Sequence, residues 1–547
     1  MGASKVQVAD KYVIGVDVGT GSARAGVYDL QGKELSTAKC DVLMFSDENA
    51  RYEQSSDQIW DAVGDCVRAA VNEAGIDKHH VVGISFDATC SLVVIGDYDQ
   101  PLPVGVHNHA DRNVIVWMDQ RATSQAKRIN EEGHSVLDYV GNRISPEMET
   151  PKLLWLKENL PETYLNAKHF FDLTDFLTWK SSGSLSRSIC TTVCKWTYLA
   201  HENRWDETYF NQFGLSELTS DNFAKIGTTV VAPGTSLAQG LTQDAAAHLG
   251  LPVGVAVAAG LIDAHAGGMG SVGAVNEQGI SDPTASLAYV FGTSACTMTT
   301  STTKTLVSGV WGPYFSAMIP GMWLNEAGQS AAGAAMDHLI QSHPAFPELK
   351  AMAQIQNCTP VQYLSSQAKA LCPSLSDAVF LAKGLHVLPE FLGNRAPHAD
   401  PDARGAILGL DMDSSVESLV KLYVAGLCGL AYGLKQIIGA QSAEGIQVKQ
   451  VVVSGGAGQD PLIRQILADA TELPVVAPIA SEPVMLGSAI MAAVAAGVFN
   501  DVFEAMKTMS HFGEQYSTAT EKVVNIHRQR YAAFIEIQEV NKKFREI

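Results

Sequence analysis

Tyr12 to Glu34 reads YVIGVDVGTGSARAGVYDLQGKE. Val13-Ile14-Gly15-Val16 and Ala25-Gly26-Val27-Tyr28 are short, apolar and rich in β-branched residues, which predicts two buried strands. Between them lies Asp17-Val18-Gly19-Thr20-Gly21-Ser22, and Asp29 to Lys33 turns the chain again. The two glycines let the backbone approach a ligand closely, and the loop amides with Thr20 and Ser22 are natural donors to phosphate oxygens. Asp17, at the end of the first strand, faces that loop. A carboxylate beside phosphate calls for a cation between them, and Mg²⁺ held largely through water suits that place. The plain alternative is a tight hairpin at a sheet edge.

A second hairpin of the same plan bears on that choice. Ser286 to Thr299, SLAYVFGTSACTMT, again runs strand, Gly-Thr, strand. Aligning Gly19-Thr20 with Gly292-Thr293 sets Val290 opposite Asp17, so only the first copy carries the acid. Two phosphate hairpins facing each other across a cleft is the layout of the actin, Hsp70 and sugar-kinase ATPases. From Tyr12 to about residue 500 the chain resembles the FGGY family of carbohydrate kinases. Within it, the segment Phe86-Asp87-Ala88-Thr89-Cys90-Ser91-Leu92-Val93 is most similar to the D-ribulokinase (ribulose and ribitol kinase) branch. The resemblance implies an α/β fold of two actin-like (ribonuclease H-like) ATPase domains with a cleft between them. The N-terminal domain is expected over 1–270 and the C-terminal, nucleotide-binding domain over 271–547.

The composition bounds the size and the classes of partner. A chain of 547 residues, 46% of them hydrophobic, can bury a large core and split into two or more domains. Its net charge of −20 disfavours nucleic acid and anionic membranes, so a polyphosphate must be held by local donors and a metal. No apolar run reaches ~18 residues, so no membrane crossing is expected. Met1 to Val6 begins like a myristoylation signal but carries Val6 where Ser or Thr is needed, and a secretion-type apolar core is lacking. Nine cysteines without a CxxC fit a reducing compartment, and a cytoplasmic location is the expectation.

Along the chain, Lys33 to Cys40 predicts a third strand, Asp57 to Ala74 a helix ending at Gly75, and Val81 to Phe86 a buried strand. Val114 to Arg121 reads as a strand ending in Trp-x-Asp-x-Arg. Its Gln120 stands where the family branch usually has His. Just before it, His107, His109 and Asp111 pose a metal question, but no further ligand is evident and Pro101 and Pro103 mark a loop. Cys190 and Cys194 can share a helix face and read as core thiols. Val253 to Ile262 predicts a strand running into Asp263-Ala264-His265-Ala266-Gly267. Gly268 to Gly273 fits GxGxxG but follows a helix-forming stretch, not a strand, and no Walker A sequence occurs. A linker is expected around Asn276 to Thr284. Beyond it come strands near Met318 to Leu324, a helix from about Asn325 to Ile340 with Glu326 and Gly333 on one face, and a loop over Glu390 to Pro397. A helix over Leu419 to Ile438, a strand–glycine loop–helix over Val451 to Leu462, an Ala-rich helix opened by Leu486 and a helical, charged tail over 502–547 complete the reading.

A carboxylate at a strand end and helix start, such as Asp263, can take a hydroxyl proton as general base; most such aspartates are helix N-caps. The family match over Asp-Ala-His-Ala-Gly implies the catalytic role. By the same resemblance Asp17 orients Mg²⁺, Thr20, Gly21, Ser22 and Arg24 line the first phosphate loop, and Gly292, Thr293 and Ser294 line the second. Gly333, Gly455, Gly456 and Ala457 border phosphates and adenosine, with Asp460 near the base. Ala88, Trp117, Lys195, Asp263 and Glu326 match the set that holds a ketopentose. Taken singly, Trp117 reads as core, Lys195 as a solvated charge and Glu326 as a first-turn helix acid. The implied activity is ATP-dependent phosphorylation of a ketopentose, D-ribulose to D-ribulose 5-phosphate, with the sugar and ATP as partners and a homodimer allowed. L-Ribulose, xylulose, ribitol or another polyol is the rival substrate. A non-catalytic actin-like nucleotide switch is the rival class, and a dehydrogenase a more distant one.

Overall fold

The computed structural model describes residues 11–47, 50–107, 109–275, 281–545 and 547. Met1 to Val6, Asn108 and residues 276–280 of the expected linker lie outside the described residues.

The first half is built on the opening hairpin. β1 (Tyr12–Val18) and β2 (Ser22–Asp29) pair antiparallel with Asp17 opposite Arg24, and β3 (Glu34–Asp41) continues beside β2. α1 (Ser56–Ala74) is capped by the Ser55 side chain and stopped by Gly75 in the left-handed conformation, the end signals its sequence carries. β4 (Val81–Ala88) then lies parallel to β1, which sets Asp87 beside Asp17. An outer five-stranded sheet takes Phe45–Ser46, Tyr52–Gln54, Val114–Ile115, Leu92–Ile95 and His169–Asp172 in that spatial order. α2 (Ile189–Trp196) carries Cys190, Cys194 and Lys195. β5 (Ala256–Val257) and β6 (Leu261–Ile262) both pair with β4, and α3 (Asp263–Val272) follows at once.

The second half repeats this plan. β7 (Ser286–Phe291), β8 (Ala295–Ser301), β9 (Trp311–Phe315) and β10 (Trp323–Gln329) form an antiparallel set. α4 (Gly333–Ser342) and the long core helix α5 (Val416–Ala443) follow. β11 (Gln450–Ser454) lies parallel to β7 as β4 does to β1. α6 (Pro461–Thr471), β12 (Val475–Pro478), α7 (Pro483–Ala495), β13 (Phe512–Tyr516) and α8 (Glu521–Arg545) complete the chain. The sheet order is β9-β10-β8-β7-β11-β12-β13. By length and composition α5 could cross a membrane, but over its most apolar 18-residue window 78% is buried inside the protein.

Helix α7 ties the halves together. Although late in sequence, it packs on β1 and β4 of the first half. A Cβ on Gly15 would lie 2.1 Å from the Met485 carbonyl oxygen, and one on Gly83 2.4 Å from that of Ala492. α7 also crosses α3 at the closest approach: a Cβ on Gly270 would lie 2.0 Å from the Pro483 oxygen, and one on Gly487 2.0 Å from that of Ala266. Gly270 is therefore a helix-crossing residue, while Gly268 beside it faces the sulfurs of Met318 and Met298.

Four sequence expectations change. The strand expected over Val114 to Arg121 stops at Ile115, because the Asp119 carboxylate accepts from the Tyr52 and Arg121 amides and closes a turn. The strand over Val253 to Ile262 is two short pieces. Asn325 to Gln329 is strand, not helix, and 318–322 is the connection before it, because β10 pairs with β8 through its whole length. Glu326 and Gly333 thus lie on different elements. The tail contains β13, which extends the second sheet.

Candidate active site

The two Gly-Thr turns meet at one cavity, and a second cavity lies on the far side of the second turn. The first, about 310 Å³, is lined from one half by Asp17, Thr20, Trp117, Lys195 and Asp263, and from the other by Thr293 and Glu326. The second, about 330 Å³, lies between α4, α5 and α6 and is lined by Gly333, Gly456, Ala457, Tyr423, Val361 and Ile463. Gly292 and Thr293 border both. Two cavities of similar volume therefore share the second turn, and the ionisable side chains Asp17, Lys195, Asp263 and Glu326 line the first.

Asp263 is the first residue of α3, where Ile262 holds the N-cap position; its Oδ1 accepts the Ala264 N–H at 2.6 Å. It is thus not the cap of its helix. Burial raises its carboxyl above the usual aspartate range, while that N–H, His265 and Lys195 pull it back. Asp17 is raised further, to about 7, by burial and by the nearby Asp263 charge. Asp87, its neighbour on β4, is wholly buried; Ser488 of α7 donates to its Oδ2 at 2.5 Å, and its Oδ1 has no hydrogen-bond partner. The Asp17 carboxyl at the cavity wall, with Asp87 behind it, offers hard oxygens of the kind Mg²⁺ takes, the rest of such an ion's shell being left to water.

Trp117 connects the first cavity and the first hairpin. Its Nε1 donates to Thr20 Oγ1 at 3.1 Å, and its amide donates to Ser91 Oγ at 3.1 Å. The Trp-x-Asp-x-Arg motif is the clip that presents it: Arg121 Nε lies 2.8 Å from Asp119 Oδ1, both side chains fully buried. Gln120 points outward and donates to the Met118 carbonyl. Glu326 on β10 meets Arg395 Nη2 at 3.1 Å and His265 Nε2 at 3.1 Å. Despite burial, His265, Lys195 and Arg395 hold its carboxyl down to about 2. The Lys195 ammonium and the Arg395 guanidinium both sit over the Trp311 ring, at 4.7 and 4.4 Å, so Lys195 is a buried cation and not a solvated one.

The remaining expected residues divide. Gly333 heads α4 against the second turn, its amide donating to the Gly292 carbonyl at 3.0 Å, and a Cβ there would lie 2.8 Å from that oxygen. Ser294 lines the first cavity. Gly455 takes φ +87 and passes so close to Phe291 that a Cβ would lie 2.5 Å from its oxygen; it shapes the second cavity without lining it. Gly21 and Ser22 sit at the hairpin tip outside the cavity wall, and Arg24 reaches away to Glu482 at 3.3 Å. Ala88 is fully buried, and Thr89 and Cys90 after it make the wall instead. Asp460 caps α6 through the Leu462 amide and pairs with Lys369 at 2.7 Å; it borders neither cavity. His107, His109 and Asp111 are exposed, and among the described residues no three or more His, Cys, Asp or Glu side chains group so as to hold a metal ion. Arg395, Cys296 and Glu147 line the first cavity, with His265 behind it; sequence reasoning gave none of them a role, although Cys296 and His265 stood inside quoted motifs.

Residues 12–270 match the family model described as the N-terminal domain of the FGGY family of carbohydrate kinases, and residues 287–496 match its C-terminal domain. An FGGY carbohydrate kinase domain-containing protein of Homo sapiens is 44% identical over 98% of both chains. A D-ribulokinase of Saccharomyces cerevisiae is 38% identical over 90% of this chain and 72% of its own. Among solved structures, a gluconate kinase from Lactobacillus acidophilus superposes with TM-score 0.80 at 19% identity, covering 97% of this chain and 98% of that one. A xylulose kinase from Rhodospirillum rubrum gives 0.78 at 20% identity, covering 98% and 99%. These two likenesses speak to the fold.

Proposed function

This chain belongs to the FGGY family of carbohydrate kinases, phosphotransferases with an alcohol group as acceptor, and from that premise we propose that it phosphorylates the terminal hydroxyl of a ketopentose, D-ribulose to D-ribulose 5-phosphate, with ATP as donor. The observation that carries the reading is the first cavity, where Asp263 and the sugar-holding candidates Trp117, Lys195 and Glu326 face the two Gly-Thr turns. The 38% identity to a D-ribulokinase supports the choice of sugar.

In this mechanism Asp263 keeps one oxygen on the Ala264 amide and offers the other to the acceptor hydroxyl, taking its proton as the oxygen attacks the γ-phosphorus. Its place at the start of α3 stabilises the ionised form. Glu326, held ionised by its three cationic neighbours, accepts from sugar hydroxyls, while Lys195 donates to them. Trp117 couples the sugar wall to the phosphate loop through Thr20. The Gly292–Thr293 turn separates hydroxyl from nucleotide, and the small residues Gly333, Gly456 and Ala457 leave room for the nucleoside in the second cavity. Asp17 with Asp87 would hold Mg²⁺, which when bound neutralises charge on the β- and γ-phosphates. Positioning and charge neutralisation then supply most of the acceleration.

A panel of ketopentoses and polyols with Mg-ATP tests the reading, followed by ADP release. D-Ribulose is expected to give the highest kcat/KM, and Asp263→Asn to lower turnover roughly 10²–10⁴-fold with sugar affinity kept. ADP release that ignores every sugar would instead favour a nucleotide switch.

A further inference from the structure

His265 stands two residues beyond the proposed base. It is 1% exposed and borders neither cavity, yet both its ring nitrogens are engaged. Nδ1 lies 3.1 Å from Cys190 Sγ, and Nε2 lies 3.1 Å from Glu326 Oε2. The Cys190 sulfur is itself fixed, accepting the N–H of Ile262, the residue before Asp263, at 3.3 Å. The other Glu326 oxygen takes Arg395. A continuous row of polar contacts therefore starts beside the base, passes through Cys190 and His265, and ends on Glu326. It begins in the first half of the chain and finishes in the second.

Glu326 is an acceptor only, so Nε2 carries the N–H that faces it, and Nδ1 meets the Cys190 sulfur, which serves as donor when it is a thiol and as acceptor when it is a thiolate. Burial alone would pull the ring below its ordinary value, but Cys190 and Glu326 on either side push it up to about 10. A buried ring tied at both ends has little freedom to move. The nearby buried thiol Cys194, 3.9 Å from the same Nδ1, closes the remaining side.

We infer that His265 is a positioning residue for the sugar: anchored on Cys190 next to the base, it holds Glu326 of the opposite half in place, so that proton acceptor and sugar holder keep a fixed spacing across the cleft. This rests on reading Glu326 as a sugar contact. His265 itself touches no substrate and acts through Glu326. A ring that merely filled space between α2 and β10 would influence stability without discriminating between the two substrates.

The test uses the full chain with Mg-ATP and D-ribulose. His265→Asn keeps the atom that meets Cys190 and removes the one that meets Glu326. It is expected to raise KM for D-ribulose about ten- to hundredfold, the range for one hydrogen bond to a charged group, with KM for ATP within twofold of wild type. His265→Gln, which returns an N–H toward Glu326, is expected to recover part of the loss. A folded His265→Asn protein with unchanged sugar KM, or with both KM values rising together, overturns the role. Should that variant fail to fold, Cys190→Ala decides: a rise confined to the sugar KM supports the anchor, and no rise overturns it. Glu326→Gln runs alongside. If it leaves the sugar KM unchanged, the sugar-site reading itself fails; if it raises that KM while His265→Asn does not, only the role of His265 fails.

Discussion

Asp263 serves as the proposed base only while ionised, and its surroundings set the pH at which that holds. Burial raises its folded-state value above the ordinary 3.8, and Lys195 is one of the groups that pulls it back. Activity is therefore expected to be lost as pH falls through a limb above the usual aspartate range, with kcat/KM flat on the alkaline side of it. Removing the Lys195 charge takes away a stabiliser of the ionised form, so Lys195→Met should move that limb to higher pH; a pH profile of kcat/KM for both proteins checks this. At this scale the sequence was partly legible. Asp17 and Asp263 stood out because motif and chemistry coincide, whereas Trp117, Lys195 and Glu326 came only from the family resemblance; all five line one cavity. Arg395 did not stand out: it lies in a loop without periodicity, and its partner Glu326 is 69 positions away in sequence. Asp460 was read as a contact to the base of the nucleotide and proves to be a helix cap, a role that an Asp-Pro pair before an apolar run also signals.

Among the elements, the hairpins were legible because each strand is short, β-branched and closed by Gly-Thr. The segment from Asn325 was misread for an equally physical reason. Ala, Glu and Gln favour helix locally, but pairing with β8 on one side and β9 on the other overrides that preference. The crossing of α3 and α7 gives the strongest prediction at this scale. Gly487→Ala would drive a Cβ to 2.0 Å from the Ala266 oxygen, and backbone cannot yield as a flexible side chain can. The variant is expected to lose about 1–3 kcal/mol of stability or more. It should also lose turnover, because the helix pushed aside is the one that begins with Asp263. Gly21→Ala, where nothing lies within 4 Å, is expected to leave stability within about 0.5 kcal/mol. Urea unfolding of both variants beside wild type separates the two outcomes.

For the molecule as a whole, the two halves matched by the family models are not two independent bodies. α7 belongs to the second half by sequence but covers β1 and β4 of the first, and Ser488 reaches Asp87 from it. Residues 1–275 produced alone are expected to be insoluble or to bind hydrophobic dye, and to become soluble when produced together with residues 276–547; size-exclusion chromatography of the fragments, alone and together, checks this. The internal repeat of the two hairpins was visible in the sequence, but this exchange of a helix was not, since no local pattern says which sheet an apolar, Ala-rich helix will cover. It has a consequence for how the protein is made. β4 ends at Ala88 and α7 begins at Pro483, so at the usual pace of about 5–20 residues per second the ribosome needs roughly 20–80 seconds between the two. Throughout that interval the nascent first sheet has one apolar face with nothing of its own to lie against, which makes a chaperone the natural temporary cover.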